Sequence, residues 1–505
     1  MSVPYAGKQF VFTQPDGTKL PVRGWGNQYN AVFETLDGYT ITQDPVSGFY
    51  QYASVSSDHE ELIPSGVMPG AVDPASVGLE ASLRTDLNAF KARSFERRGM
   101  PRGQSRWEIR RNRYKNDLLS VVIAESAAPG ILPAPPKRKT VGNFIGLCLL
   151  VQFPDVPATI TQAEVSDFCN KKGYSGFGNN GSVCDYFLEN SGGKLNYTNI
   201  VAPYYTAKFP RSYYTNEKIE QPKRARQLIK EALDHLKASG FDFSQLTTDG
   251  ESYVYALNIF YTGPTVNNWA KGLWPHAYHL LTPYELMPGK LAFDYQITNI
   301  GAELSLGTFC HENGHMICDF PDLYDYGYES SGVGGFCLMC GGGNANEKNP
   351  AHVGAYLKYK AGWVDSLTRL QTGKNYTAKA GANDFFLYSK NLNEYYIIEN
   401  RQQSKRDAAL PASGLAIWHV DELGDNSNEQ MSPSSHYECT LIQADGRSDL
   451  ENGVNDGDAG DLFSAPQFTR FDQSSRPSSN WWDRSASNLK ISNIGASGPT
   501  IDFST

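Results

Sequence analysis

The five residues His311-Glu312-Asn313-Gly314-His315 constrain this chain more than any other stretch. On a helix, positions i and i+4 fall on one face about a turn apart, so the imidazoles of His311 and His315 can reach one metal ion while Glu312 points at its open position. Such a pattern requires a helix packed beside a cleft, and its chemistry is hydrolysis by a zinc-activated water with a carboxylate as proton acceptor. A helix with two histidines on a polar face is the plainer alternative. Met316 to Asp325 speak against it, because they supply a chain reversal and three carboxylates (Asp319, Asp322 and Asp325) directly after the second histidine.

One group of zinc proteases takes its third ligand from just behind the second histidine and sets a methionine beneath the metal. Phe336-Cys337-Leu338-Met339-Cys340-Gly341-Gly342-Gly343 is a short apolar segment ending in three glycines, suited to a tight turn that brings Met339 under the site. With these residues in view, the chain resembles the immune-inhibitor-A-like metalloproteases, a secreted metzincin-type family. The likeness continues through Gly181–Leu195, Trp274-Pro275-His276, Pro321–Asp325, Asn393–Arg401, Gly414–Asp421 and Ala444-Asp445-Gly446, in family order and over about three quarters of the chain. It implies Glu312 as general base, His311, His315 and Asp322 as zinc ligands, Met339 as the turn methionine, and protein or peptide substrates. The family has glycine three residues after the second histidine and its aspartate ligand three residues later. Here Cys318 stands at the glycine position and one extra residue precedes Pro321-Asp322, which leaves Asp319 and Asp325 as competing carboxylates.

Length predicts several domains, since 505 residues exceed what one core supports. The expected fold class is α+β. Residues 1–90 read as a small strand-rich module with turns at Pro15-Asp16-Gly17, Asp37-Gly38 and Pro45–Gly48. Residues 91–141 carry Arg93, Arg97, Arg98, Arg102, Arg106, Arg110, Arg111 and Arg113, then a proline-rich run to Lys139; this reads as a solvated helix and an exposed, cleavable tether. The family likeness makes 1 to about 140 a prodomain acting as an intramolecular inhibitor. With no cysteine before Cys148, a carboxylate, a carbonyl or steric blockage must supply any latency.

Residues 142–365 are the expected zincin-type catalytic domain. Phe144–Phe153 and Tyr253–Tyr261 read as buried strands, 161–171, 182–191 and 216–239 as helices, and Pro350–Trp363 as an amphipathic helix whose His352 could line the cleft. Asp242, Asp249, His276 and His279 read as structural rather than as ligands. Tyr324 and Tyr326 are candidate oxyanion donors, although the tyrosine position two residues past the turn methionine is occupied by Gly341. Residues 366–505 alternate short strands with Gly, Pro and Asn turns, the pattern of a β-sandwich.

Within that last region Asp445, Asp449, Asn455, Asp456, Asp458 and Asp461 crowd a glycine-rich loop without EF-hand spacing. Their mutual repulsion and the loop's family counterpart point to structural calcium; a solvated acidic loop is the alternative. Cys310, Cys318, Cys337 and Cys340 bracket the motif helix and the methionine turn. A disulfide such as Cys318–Cys337, a second zinc site and plain buried thiols are all open. A net charge of −9 argues against a nucleic-acid or anionic-membrane partner, and no apolar run reaches the ~20 residues of a transmembrane helix. The first residues lack the apolar core of a signal peptide, so the expectation of a secreted monomer comes from the resemblance alone. Two other classes share these motifs: an inactive adhesin or carbohydrate-binding protein on a protease scaffold, and a zinc hydrolase of a non-peptide amide. The intact His311, Glu312 and His315 weigh against the first.

Overall fold

A computed structural model describes residues 4–27, 30–86, 89, 92, 104–124, 140–326, 330–426 and 431–505. It is a mixed α+β architecture built on several sheets. The first sheet runs in chain order through β1 (Tyr5–Thr13), β2 (Lys19–Gly26), β3 (Ala31–Thr35), β4 (Thr40–Gln43), β5 (Tyr50–Val55) and β6 (Leu62–Pro64), all antiparallel. Its hairpin turns fall where the glycines predict them. Gly17, Gly38 and Gly48 have φ of 90°, 91° and 77°, the left-handed region in which a side chain would be strained.

After it comes the basic helix α1 (Arg106–Ala124). The second sheet has the order β10-β11-β9-β7-β8, from β7 (Gly142–Gln152), β8 (Leu195–Thr206), β9 (Leu257–Thr262), β10 (His276–Met287) and β11 (Lys290–Ile300). β8, β7, β9 and β11 are parallel, and β10 closes the edge as an antiparallel hairpin with β11. α2 (Gln162–Asn170) and α3 (Val183–Asn190) share one face of this sheet with the motif helix α5 (Leu306–Cys318). α4 (Lys223–Ala238) covers the other face with Leu228, Ile229, Leu233 and Leu236. The 216–239 expectation is thus shortened at its start, because Pro222, with no N–H to give, directly precedes the helix. The 253–261 strand begins only at Leu257, and the 350–363 helix shrinks to α6 (Ala355–Lys360), since residues 350–354 run extended beneath the methionine turn.

The C-terminal region has two sheets, one large and one small, on a shared core. β12 (Ser366–Arg369), β14 (Asp384–Ser389), β15 (Glu394–Arg401), β16 (Gly414–Asp421) and β17 (Cys439–Leu441) form one five-stranded sheet, while β13 (Asn375–Lys379) pairs only with β18 (Thr500–Ser504). Most of residues 442–499 is loop, because Gly, Pro, Asp and Ser there leave no uninterrupted alternating run. One face of the five-stranded sheet is continuous with the core around α5, through Phe385, Leu387, Tyr395, Ile397 and Trp418. The other face packs a separate core made wholly of residues past 365, among them Phe386, Ile398, Ile417, Phe471 and Phe503. No described helix is long and apolar enough to cross a membrane.

Candidate metal centre and the helix docked over it

α5 is fixed to the sheet by the one polar residue on its far face. Asn313 accepts from Tyr197 Oη at 2.7 Å and donates to Asn258 Oδ1 at 3.0 Å; Asn258 in turn is bonded by Gln296 at 2.7 Å and donates to Asn199 at 2.9 Å. All are buried and, apart from Asn199 Nδ2, which has no partner among the described residues, their polar groups are matched largely by one another. Because Asn313 is two residues from His311, anchoring it turns both histidines the opposite way.

On that side three atoms converge. His311 Nε2 lies 3.0 Å and His315 Nε2 3.2 Å from Asp322 Oδ1, and the two nitrogens are 3.2 Å apart. Each ring presents Nδ1 to a backbone carbonyl, that of Leu338 at 2.9 Å and of Phe320 at 2.6 Å. A carbonyl can only accept, so Nδ1 carries the proton and Nε2 of the neutral ring is a bare lone pair. Two lone pairs and a carboxylate oxygen, all buried, repel one another unless a cation lies between them. Three ligands about 2.0–2.1 Å from one tetrahedral zinc would stand about 3.3 Å apart, close to the spacing here. Asp322 is fully buried and held in place by its neighbours. Tyr326 Oη donates to its second oxygen at 2.9 Å, and Asn426 holds its carbonyl at 2.5 Å. Glu312 is buried one residue on and near enough to raise the basicity of the His311 ring.

The methionine turn supports both ligand segments. Leu338 provides the carbonyl for His311, Met339 accepts from Leu323 N–H at 2.8 Å, and Met339 packs against Gly314. A Cβ at Gly314 would stand 2.9 Å from the Met339 sulfur, so a side chain here would push the Met339 thioether aside. α5 ends in a left-handed turn. Asp319, not residue 318, caps α5 at φ 56°, at a cost of about 1 kcal/mol for a residue with a Cβ. Its carboxylate accepts from Arg110 Nε at 2.8 Å and Nη2 at 2.6 Å, so Asp319 is engaged away from the metal group. Asp325 instead accepts from Ser330 N–H at 2.9 Å.

The exposed-tether expectation for the basic segment is corrected over residues 104–124. α1 lies across the centre: Trp107 is 6 % exposed and stacks on the His315 ring with centroids 4.5 Å apart and planes 17° off parallel. Arg106 donates its backbone N–H to Asp294 and its side chain to Glu251 at 2.6 Å, beside Asp249. On the other side Arg111 pairs with Glu438, and Lys115 reaches the same carboxylate at 2.9 Å. Lys360 sits over the Tyr114 ring. A cavity of about 1090 Å³ runs beside the helix and is lined by Trp107, Arg111, His276, Tyr326 and Glu438 among others. Sequence reasoning missed Trp107, Asn426 and Glu438; only the first carries a local signal, since Trp107, Arg111 and Lys115 recur at helical spacing. Residues 93–103 and 125–139, the remainder of the cleavable window, lie outside the described residues.

Elsewhere, His276 is buried and bonded to Tyr295 Oη at 3.1 Å, and burial pushes its pKa down to about 4. His352 faces Asp407 and Glu189 rather than the metal group. All eight cysteines are buried free thiols, and none belongs to either described group able to hold a metal. The second such group is Asp445, Asp449 and Asp458. The other three residues of the expected calcium set have different partners: Asn455 donates to Asp458 at 3.1 Å, Asp456 turns to Ser331, and Asp461 accepts from Asp458 N–H at 2.7 Å. Burial, together with Asp458 and Asp445, pushes the Asp461 carboxyl up to about 7. Calcium at 100 times its Kd is expected to stabilise the protein by about 2.7 kcal/mol, seen as a rise in Tm. An Asp445→Ala/Asp449→Ala/Asp458→Ala variant should lose that rise, and an equal response in both proteins would mark the loop as merely solvated.

No family model matches this chain, and no curated protein matches it significantly.

Proposed function

We propose that this protein is a zinc-dependent endopeptidase of the immune-inhibitor-A-like metalloprotease type, secreted and produced in a latent form. The observation that carries the reading is the convergence of His311, His315 and Asp322, with both imidazole tautomers fixed by carbonyls so that only unprotonated nitrogens face inward. The donor set fits zinc in atom type, number and spacing. Bound there, zinc would polarise a scissile carbonyl and bring water toward ionisation at neutral pH. The chain's own residues do the rest. Glu312 accepts the water proton and delivers it to the leaving amine, Tyr326 and Asn426 keep Asp322 oriented, and Met339 braces the floor. α1 supplies the latency by steric cover, since Trp107 rests on His315 where a substrate would enter. The mixed sheet beside the motif helix is what a zincin-type domain requires.

The test is metal analysis with a peptide assay. The purified protein should contain about one zinc; once freed of its N-terminal part it should cut a quenched fluorescent peptide, and a chelator should abolish cleavage. Asp322→Ala should lose metal affinity by roughly 10-fold or more. Zinc retained at full occupancy in that variant would remove Asp322 from the ligand set.

A further inference from the structure

The docked helix carries its charges in an order that describes the cleft beneath it. Trp107, Arg111 and Lys115, spaced by four, share one face of α1: the first covers His315, and the other two run onward to Glu438. Glu438 adjoins the metal group through two hydrogen bonds. Its N–H donates to Asn426 Oδ1 at 3.1 Å, and Asn426 Nδ2 donates to the Asp322 carbonyl. Its side chain is 2 % exposed. Both of its cations come from α1, whereas the neighbouring Glu422 has resident partners in Lys360 at 2.7 Å and Tyr395 at 2.8 Å. Once α1 leaves, Glu438 retains the Tyr356 hydroxyl and, among the described residues, no cation.

A carboxylate so placed is costly to leave uncompensated. The opposite wall differs, because Asp249 keeps two backbone N–H donors, those of Glu251 and Tyr253, when Arg106 and Arg110 leave. The Gly424 carbonyl, which accepts from Lys115 at 2.6 Å, adds a second acceptor beside Glu438 and suits an ammonium or guanidinium head.

We propose that Glu438 forms a subsite for a lysine or arginine side chain of the peptide substrate, and that Arg111 and Lys115 of α1 occupy it in advance. This rests on the peptidase reading above. α1 then resembles a substrate in its side-chain chemistry while offering the metal group a tryptophan ring instead of a peptide carbonyl. Glu438 sets specificity and does not touch the reacting atoms.

The experiment uses the full chain, cut with trypsin and freed of its N-terminal part by gel filtration. Peptides that differ only in lysine or norleucine at one position after another are compared by kcat/KM. One position should favour lysine by about tenfold or more, and Glu438→Gln should bring that ratio to within about twofold of unity. A flat profile in the unsubstituted protein, or an unchanged ratio in Glu438→Gln, overturns the proposal. The same peptides are titrated by fluorescence anisotropy into cut protein carrying Glu312→Gln. A Glu438-dependent lysine preference in Kd without any cleavage by the unsubstituted enzyme would retain the subsite and refute the peptidase. Cleavage without preference would do the reverse, and neither binding nor cleavage would overturn both.

Discussion

Replacing Glu312 with alanine is expected to lower peptide hydrolysis by about 10²–10⁴-fold while the bound zinc stays in place. The two outcomes separate because the ligands are His311, His315 and Asp322, each held by partners that do not involve Glu312: the Leu338 and Phe320 carbonyls, Tyr326 and Asn426. Losing the carboxylate removes the proton acceptor but leaves those bonds intact. Glu312→Gln, which keeps the volume of this buried side chain, should behave in the same way. Metal content by mass spectrometry and kcat/KM on one peptide decide the matter. Full activity in either variant would take the role of base away from Glu312.

The second large effect is expected on removing α1. The intact chain should hydrolyse peptides slowly, and limited trypsin cleavage in the flanks of α1 should activate it once the N-terminal part has dissociated. Arg111 sets the scale. Breaking a buried ion pair by removing one partner costs about 3–5 kcal/mol, so Arg111→Ala should weaken docking and raise the activity of the uncut chain by about 10²-fold or more. The Arg111–Glu438 pair qualifies, with side chains 15 % and 2 % exposed. By contrast Arg113–Glu251, at 66 % and 51 %, is a solvated pair whose loss should change little. Initial rates on uncut and cut protein give the answer. Equal rates before and after removal of the N-terminal part would end the latency reading.

The legible part of the site was the part written in consecutive residues. His311, Glu312 and His315 share a helical turn, Asp322 follows within one reversal, and Met339 sits in a glycine-rich apolar segment where a Cβ at Gly342 would stand 2.6 Å from the Cys337 carbonyl. The first sheet was legible for the same reason, since its glycine turns link strands that are neighbours in both chain and space. α1 was visible as a helix but not as a lid. At its start the Ser105 N–H donates to Glu108 at 2.9 Å. What makes it a lid is Asp319, 209 residues beyond Arg110, and Glu438, 327 residues beyond Arg111. Charges read without their partners look solvated. The pairing of the C-terminal strands was hidden for a related reason: alternation gives a strand its face but not its neighbour, and β13 pairs with β18, more than a hundred residues further on.

The eight buried thiols give the fold a lifetime of a particular kind. All eight cysteines are buried, and burial pushes the Cys337 thiol up to about 11, so that residue offers an oxidant almost no thiolate. Unfolding exposes all eight together. Outside a reducing cytosol, wrong pairings then form in minutes to hours and block the way back. Such a protein does not wear out residue by residue. Its persistence in air is governed by how often the whole chain opens, a rate rather than an equilibrium, and the first opening that lasts long enough to be oxidised is the final one.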